Sequence, residues 1–200
     1  MISPARVCTL LIWTVFLSVP EPAKVVQVPQ DPDPAYTQVI MNRAWKIVDT
    51  LGVDDPAAAL QVCHLIADQY RSLGMLHDTR DTQIKAIQSQ AGGNPDSAKL
   101  AIRALKDMTQ SLQDQYHTRY LLKLSALLTP DQIDQVKDGM TYGIVQVTYN
   151  SYLDMLPQLT EQQKATIMAY LVEAREIAMD AGSSREKHGW FGKYLSLIHI

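Results

Sequence analysis

The sequence predicts an all-α protein, an antiparallel bundle of five or six helices with two long central members. Three observations carry this. Apolar residues recur at three- and four-residue intervals through most of the chain beyond residue 35. Helix-start chemistry heads several of those stretches, at Asp55–Pro56 and in the twin segments "LTPDQIDQV" from Leu128 and "LTEQQKATI" from Leu159. No proline falls between Pro56 and Pro95, which leaves room for a helix of unusual length.

The elements follow in order. A first helix is expected over about Ala35–Leu51, with Val39, Ile40, Ile47, Val48 and Leu51 on one side and Gly52 as its stop. Asp55 caps the second and Pro56 takes its first position. Its inner stripe is read as Leu60, Cys63, Ala67, Tyr70, Gly74, His77, Asp81, Ile84 and Ala91, before "AGGNP" turns the chain. The third runs over about Asp96–Leu127, with Ala101, Leu105, Met108, Leu112, Tyr116, Arg119 and Ala126 inward. Each of these two spans roughly 50 Å, and the short turn makes them antiparallel neighbours.

Leu-Thr-x-x-Gln then opens two helices. The Thr hydroxyl accepts an early orphan N–H and the Gln reaches back to the cap residue's own N–H, a capping box. Between the boxes, two glycines and the β-branched run of Ile144, Val145, Val147 and Thr148 predict an irregular or extended passage near 139–150, then a short helix to Met155. The second box starts a helix with Ile167, Tyr170, Leu171, Ala174, Ile177, Ala178 and Ala181 on one face, and Glu173, Glu176 and Asp180 on a neighbouring one. Gly182 stops it, and Ser183 or Ser184 caps a last helix.

Of the 200 residues, 46% are apolar and 20% charged, enough for one domain with a core. A net charge of −3 offers no basic surface, so nucleic acid is not an expected partner. Two cysteines make no disulfide framework, and Cys63 on an apolar stripe is not a nucleophile. At the N-terminus, Arg6 precedes the uncharged thirteen-residue run "VCTLLIWTVFLSV", the length of a signal h-region rather than a comfortable bilayer span. Residues 1–23 therefore read as a signal peptide or an uncleaved anchor, the sole expected membrane contact, and 24–34 as a Pro-rich linker. At the other end, "LSLIHI" back-translates to a transposase mosaic-end adaptor used in sequencing libraries. Leu195–Ile200 are read as non-native, and 35–194 as a single helical domain whose native chain continues past Tyr194.

No hydrolase elbow, phosphate loop, dinucleotide-binding glycine pattern or zinc spacing is present. No catalytic residue, cofactor or metal site is assigned. His64 and His77 fall on different helix faces, and the single pair Asp114 and His117 is no di-metal set. Two clusters remain as binding candidates. His77, Arg80 and Asp81 lie within about one turn on the second helix, either as a buried network fixing register or as a polar ligand pocket, with Asp81 expected near Lys106 and His77 near Gln110. "REKHGWFGKY" gathers Arg185, His188, Trp190 and Tyr194, which suit sugar stacking or docking of the segment onto the bundle.

The Leu-Thr-x-x-Gln pair resembles periplasmic chaperones and stress sensors of the Spy and CpxP type, although those tend to be basic on the cradle face. "NRAWKIVDTLGVDD", "DQYRSLGMLHDTRDTQIKAI", "KDGMTYGIVQVTYNSYLDMLPQLTEQQKA" and "EAREIAMDAGSSREKHGWFGKY" resemble the DUF3826 family, exported proteins of the Bacteroidetes and their relatives. In that family the last motif continues into a basic, Asn-containing segment, which fits a cut after Tyr194. The resemblance implies sugar binding beside plant-polysaccharide degradation, in the periplasm or outside the cell. The expected function is thus a non-enzymatic binding or accessory protein for a plant-polysaccharide-derived oligosaccharide. Two alternatives stand beside it: a carbohydrate-active enzyme using two of Asp78, Asp81, Glu173, Glu176 and Asp180, and a holdase chaperone with a concave apolar face.

Overall fold

The structure, a computed structural model, describes residues 33–90 and 95–198. Residues 1–23, expected as a signal peptide or anchor, nearly all of the expected Pro-rich linker, residues 91–94 of the "AGGNP" turn and the last two residues lie outside them. Among the described residues there are seven α-helices and no strand. They are α1 Pro34–Val48, α2 Pro56–Gln90, α3 Pro95–Ser125, α4 Pro130–Met140, α5 Ile144–Met155, α6 Glu161–Ala178 and α7 Ser184–Leu195. No helix among them is long and apolar enough to cross a membrane.

Capping explains where most of them begin. Asp33 accepts the Tyr36 N–H at 3.0 Å and Asp55 that of Ala57 at 3.0 Å, each just before a proline at the first helical position. Both Leu-Thr boxes close in full: Thr129 and Thr160 accept the N–H of Gln132 and Gln163, whose side chains take the cap residues' own N–H. The two boxes differ in one respect. Gln132 also donates through Nε2 to the Leu51 carbonyl at 3.0 Å, tying the start of α4 to the end of α1.

The count of seven corrects the expected five or six, because the expected irregular passage is mostly helix. Only Thr141–Gly143 turns, with Tyr142 at φ +62° and Gly143 at φ +66°. The β-branched run that follows is α5. Val145, Tyr149, Tyr152 and Leu153 recur at helical spacing and pack against the same apolar cluster as α6, and that packing outweighs a propensity cost of a few tenths of a kcal/mol per residue.

α2 and α3 lie along each other and run antiparallel, residues 60–65 facing 123–127 and residues 80–84 facing 106–113. Their inner faces differ from the expected stripes. On α2 the buried positions are Ala59, Val62, Cys63, Ile66, Ala67, Gln69, Leu73 and His77, while Leu60 and Asp81 are exposed. On α3 only Thr109, Tyr120 and Leu124 are buried, and Met108, Leu112, Arg119 and Ala126 face out. The expected α3 stripe was one position out of phase. A helix flanked on one side shows a narrow apolar stripe, and its exposed leucines and methionines confuse the period.

Two apolar clusters form the interior. One joins α1, α2, α3 and α4 around Ile40, Val62, Ile66, Leu124, Val136 and Met140. The other joins α5, α6 and α7 around Val145, Ile167, Leu171, Ala174 and Phe191. α6 serves both, because Met179 just past its end enters the first cluster. A polar lattice also binds α6 to α4. Arg175, 5% exposed, donates to Asp138 Oδ1 at 2.8 Å and Asp134 Oδ1 at 2.9 Å, and Lys137 reaches Glu176 at 2.8 Å. α4 also comes close to α1 at Gly139, where a Cβ would stand 2.7 Å from Ile47 Cγ1.

Thr129→Ala and Thr160→Ala should each cost about 1 kcal/mol in urea denaturation, near the typical value for losing such a cap. Gln132→Ala should cost more than Gln163→Ala, by about 1 kcal/mol for the extra hydrogen bond to Leu51. Equal costs would mean that the α1–α4 tie contributes nothing.

Candidate functional site

The site grows from one buried carboxylate. Asp180 follows the end of α6 and is 3% exposed. A carboxylate removed from water needs donors on its oxygens. Oδ1 accepts from Gln69 Nε2 of α2 at 3.2 Å, and Oδ2 meets His117 Nδ1 of α3 at 2.6 Å. The backbone carbonyl of Asp180 accepts from His77 Nε2 at 2.9 Å.

His77 is buried, and its partners assign its tautomer. A carbonyl only accepts, so Nε2 carries the proton. The Arg80 guanidinium, 3.0 Å from Nδ1, only donates, so Nδ1 accepts. Arg80 extends the chain outward, giving Nε to Asp81 Oδ1 at 2.7 Å and Nη2 to Glu186 Oε1 at 3.4 Å. The hydrogen bond from Arg80 holds the Asp81 carboxyl below the usual range. Glu186 is held in turn by the Gly182 N–H at 2.9 Å, within the turn that starts α7 under the Ser183 cap. Gly182 is required there, because a Cβ would stand 2.7 Å from His77 Cγ.

Outside this network a polar groove of about 380 Å³ opens between α2, α3 and α7. His77 and Arg80 line it from α2, Gln110 and Gln113 from α3, and Glu186 and Trp190 from α7. The structure therefore unites two clusters more than a hundred residues apart in the chain. The expected neighbours hold too: Asp81 and Lys106 line one adjoining depression, and His77 and Gln110 share the groove. Trp190 packs partly against the second apolar cluster, and the Lys193 ammonium lies 4.7 Å from its ring centroid.

Three candidates fall elsewhere. Tyr194 turns to α6, its hydroxyl donating to Glu173 Oε1 at 3.0 Å. His188 lies against Tyr142, ring centroids 6.2 Å apart, with Nδ1 on the Ser184 carbonyl. Arg185 is exposed and does not line the groove. The acidic face expected on α6 is divided among three tasks: Glu173 on Tyr194, Glu176 on Lys137 and Arg175, and Asp180 in the interior. Asp114 and His117 also part company, since Asp114 takes Gln110 while His117 takes Asp180. Burial pushes the Cys63 thiol up to about 11, with Asp49 adding to the effect, and such a group is no nucleophile at neutral pH. Among the described residues, no three of His, Cys, Asp and Glu form a set able to hold a metal ion.

Sequence reasoning missed Gln69, Gln113 and Glu186, and it placed Asp180 on an acidic face of α6 rather than in the interior. The signal for Asp180 was present as a polar residue one turn after the inward Ala174 and Ile177, but a carboxylate near a helix end reads equally well as solvated.

Asp180→Ala would strand Gln69 and His117 and should cost about 3 kcal/mol or more in urea denaturation. The hydrogen bond that His117 donates to Asp180 raises the His117 pKa. That contribution is complete below the ordinary value near 6.5 and is lost as pH rises through the higher folded value. The stability gap between the native chain and His117→Gln should therefore narrow between pH 6 and pH 9. A gap that widens would overturn the assignment.

Comparison with known families places these residues in a wider group. A family model described as a protein of unknown function (DUF3826) matches residues 37–199. No curated protein matches the chain. The match takes in every residue of the Asp180 network and of the groove, and on its extent the chain belongs to the DUF3826 family.

Proposed function

We propose that the protein is an exported, non-enzymatic binding or accessory protein of polysaccharide utilisation, and that the groove between α2, α3 and α7 takes a plant-polysaccharide-derived oligosaccharide. The observation that carries this is the meeting of Trp190 with the side chains of Arg80, Gln110, Gln113 and Glu186 in one groove. A pyranose presents C–H groups on its faces and hydroxyls around its edge. The aromatic ring suits the first, and planar amide, guanidinium and carboxylate groups suit the second. Lys193 is exposed, so a sugar ring would replace a cation–π contact of about 1 kcal/mol over Trp190. His77 and Asp180 act beneath, holding Arg80 and the α6–α7 turn in place.

The division of the α6 carboxylates among separate partners favours binding over hydrolysis, since a glycosidase needs two carboxyl groups flanking one bond. A holdase reading has one observation in its favour: Leu60, 46% exposed, borders an apolar groove with Leu65, Ala126 and Leu127. Suppression of client aggregation, lost in Leu60→Asp, would carry that reading instead.

The test is calorimetry of the full chain with pectin-, xylan- and mannan-derived oligosaccharides, with product release followed in the same tubes. Saturable binding should weaken tenfold or more in Trp190→Ala and about fivefold in Gln113→Ala, the latter matching one hydrogen bond of about 1 kcal/mol. Product formation would make the protein an enzyme, and binding indifferent to Trp190 would remove the groove.

A further inference from the structure

A second cavity lies on the other side of the α6–α7 turn and shares only Ala181 with the groove. It is walled by α1, α2, the Thr141–Gly143 turn and the start of α7, and encloses about 550 Å³. That falls within the roughly 300–1,000 Å³ of small-molecule sites. Its charge has one sign. Arg43, Lys46 and Lys187 line it, and no aspartate or glutamate does. On a chain of net charge −3, an acid-free cleft with three cations is a local inversion of the protein's own field.

The cations are also unspent. Among the described residues, no carboxylate forms an ion pair with Arg43, Lys46 or Lys187. Lys187 is 6% exposed, and its ammonium has one partner, the Met179 carbonyl at 2.7 Å, for three donors. Burial pulls its pKa down to about 8; the Asp180 carboxylate opposes this and Arg43 adds to it, so the charge is only partly compensated. An anion in the cleft would supply the missing charge.

The remaining walls suit a small ring bearing that anion. Tyr36 lies against Gly74, where a Cβ would stand 3.0 Å from its hydroxyl. The Tyr70 phenol, raised to about 12 by burial first and by the nearby Tyr142, stays a neutral O–H group. Ser183 and Ser184 bring the positive end of α7 to the edge. At the rim Tyr142 is 56% exposed and held at φ +62°, a left-handed backbone that a tyrosine adopts only at some cost.

We propose that this cleft binds an oxyanion, a carboxylate or phosphoryl group carried on a small polar ring, with Arg43, Lys46 and Lys187 as its charge partners and Tyr142 covering the ring. The site stands independently of the saccharide groove. The test titrates the full chain with D-galacturonate, inorganic phosphate and neutral D-galactose by calorimetry. At least one of the two anions should bind saturably, and D-galactose should not compete with it. Arg43→Gln combined with Lys46→Gln changes two exposed side chains, so the fold should survive, while affinity for the anion falls tenfold or more. Lys187→Met should abolish binding. If that variant misfolds, the surface pair still decides the matter. Binding of galacturonate alone would assign a carboxylate, and binding of phosphate alone a phosphoryl group. Failure of both anions to bind, or equal affinity in the Arg43→Gln, Lys46→Gln variant, would overturn the site.

Discussion

A buried carboxylate past the end of α6 that two other helices must satisfy sets much of this structure. Asp180 has nowhere to find water, so Gln69 of α2 and His117 of α3 have to reach it, and its carbonyl has to receive His77. Those three bonds fix the registers of α2 and α3 against the end of α6. They also pin the Ala181–Ser183 turn, from which α7 departs. The groove and the cation-lined cleft both take Ala181 as part of their walls, so each depends on where that turn is held.

A second constraint works beside it. The two apolar clusters share α6, and shape alone would let α6 slide on α4. Arg175 with Asp134 and Asp138, crossed by Lys137 with Glu176, opposes that slide. Buried ion pairs are weak evidence for net stability, because desolvation offsets much of the attraction, but a broken one is expensive. Register is what they secure here. The Arg175 Nε is itself buried without a partner, so even this lattice is imperfectly satisfied.

The helix starts were legible in the sequence for a local reason. Asp33, Asp55, Thr129, Thr160 and Ser183 each accept a hydrogen bond from a neighbour two or three residues on, and that chemistry needs no tertiary partner. The passage after Gly139 was misread for the opposite reason. Ile144, Val145 and Val147 favour strands by propensity, and the packing of Ile144 and Val145 in the cluster they share with α6 outweighs it, while Val147 stays exposed. The α3 stripe slipped by one position because Met108 and Leu112 are apolar yet exposed, whereas the inward Thr109 and half-buried Gln113 and His117 are polar.

What the sequence determined by itself was therefore the class of the fold, the capping sites and the family. It also marked His77, Arg80 and Trp190 as residues worth watching, because histidine, arginine and tryptophan at half-inward positions need partners. It did not show that the first two and the third line one groove, or that His188 and Tyr194 point elsewhere. Nor did it bring Arg43 and Lys46 of α1 to Lys187 of α7. Those facts depend on how helices far apart in the chain are rotated against each other. That rotation is decided by packing and by the partners of Asp180, and no local spacing records it.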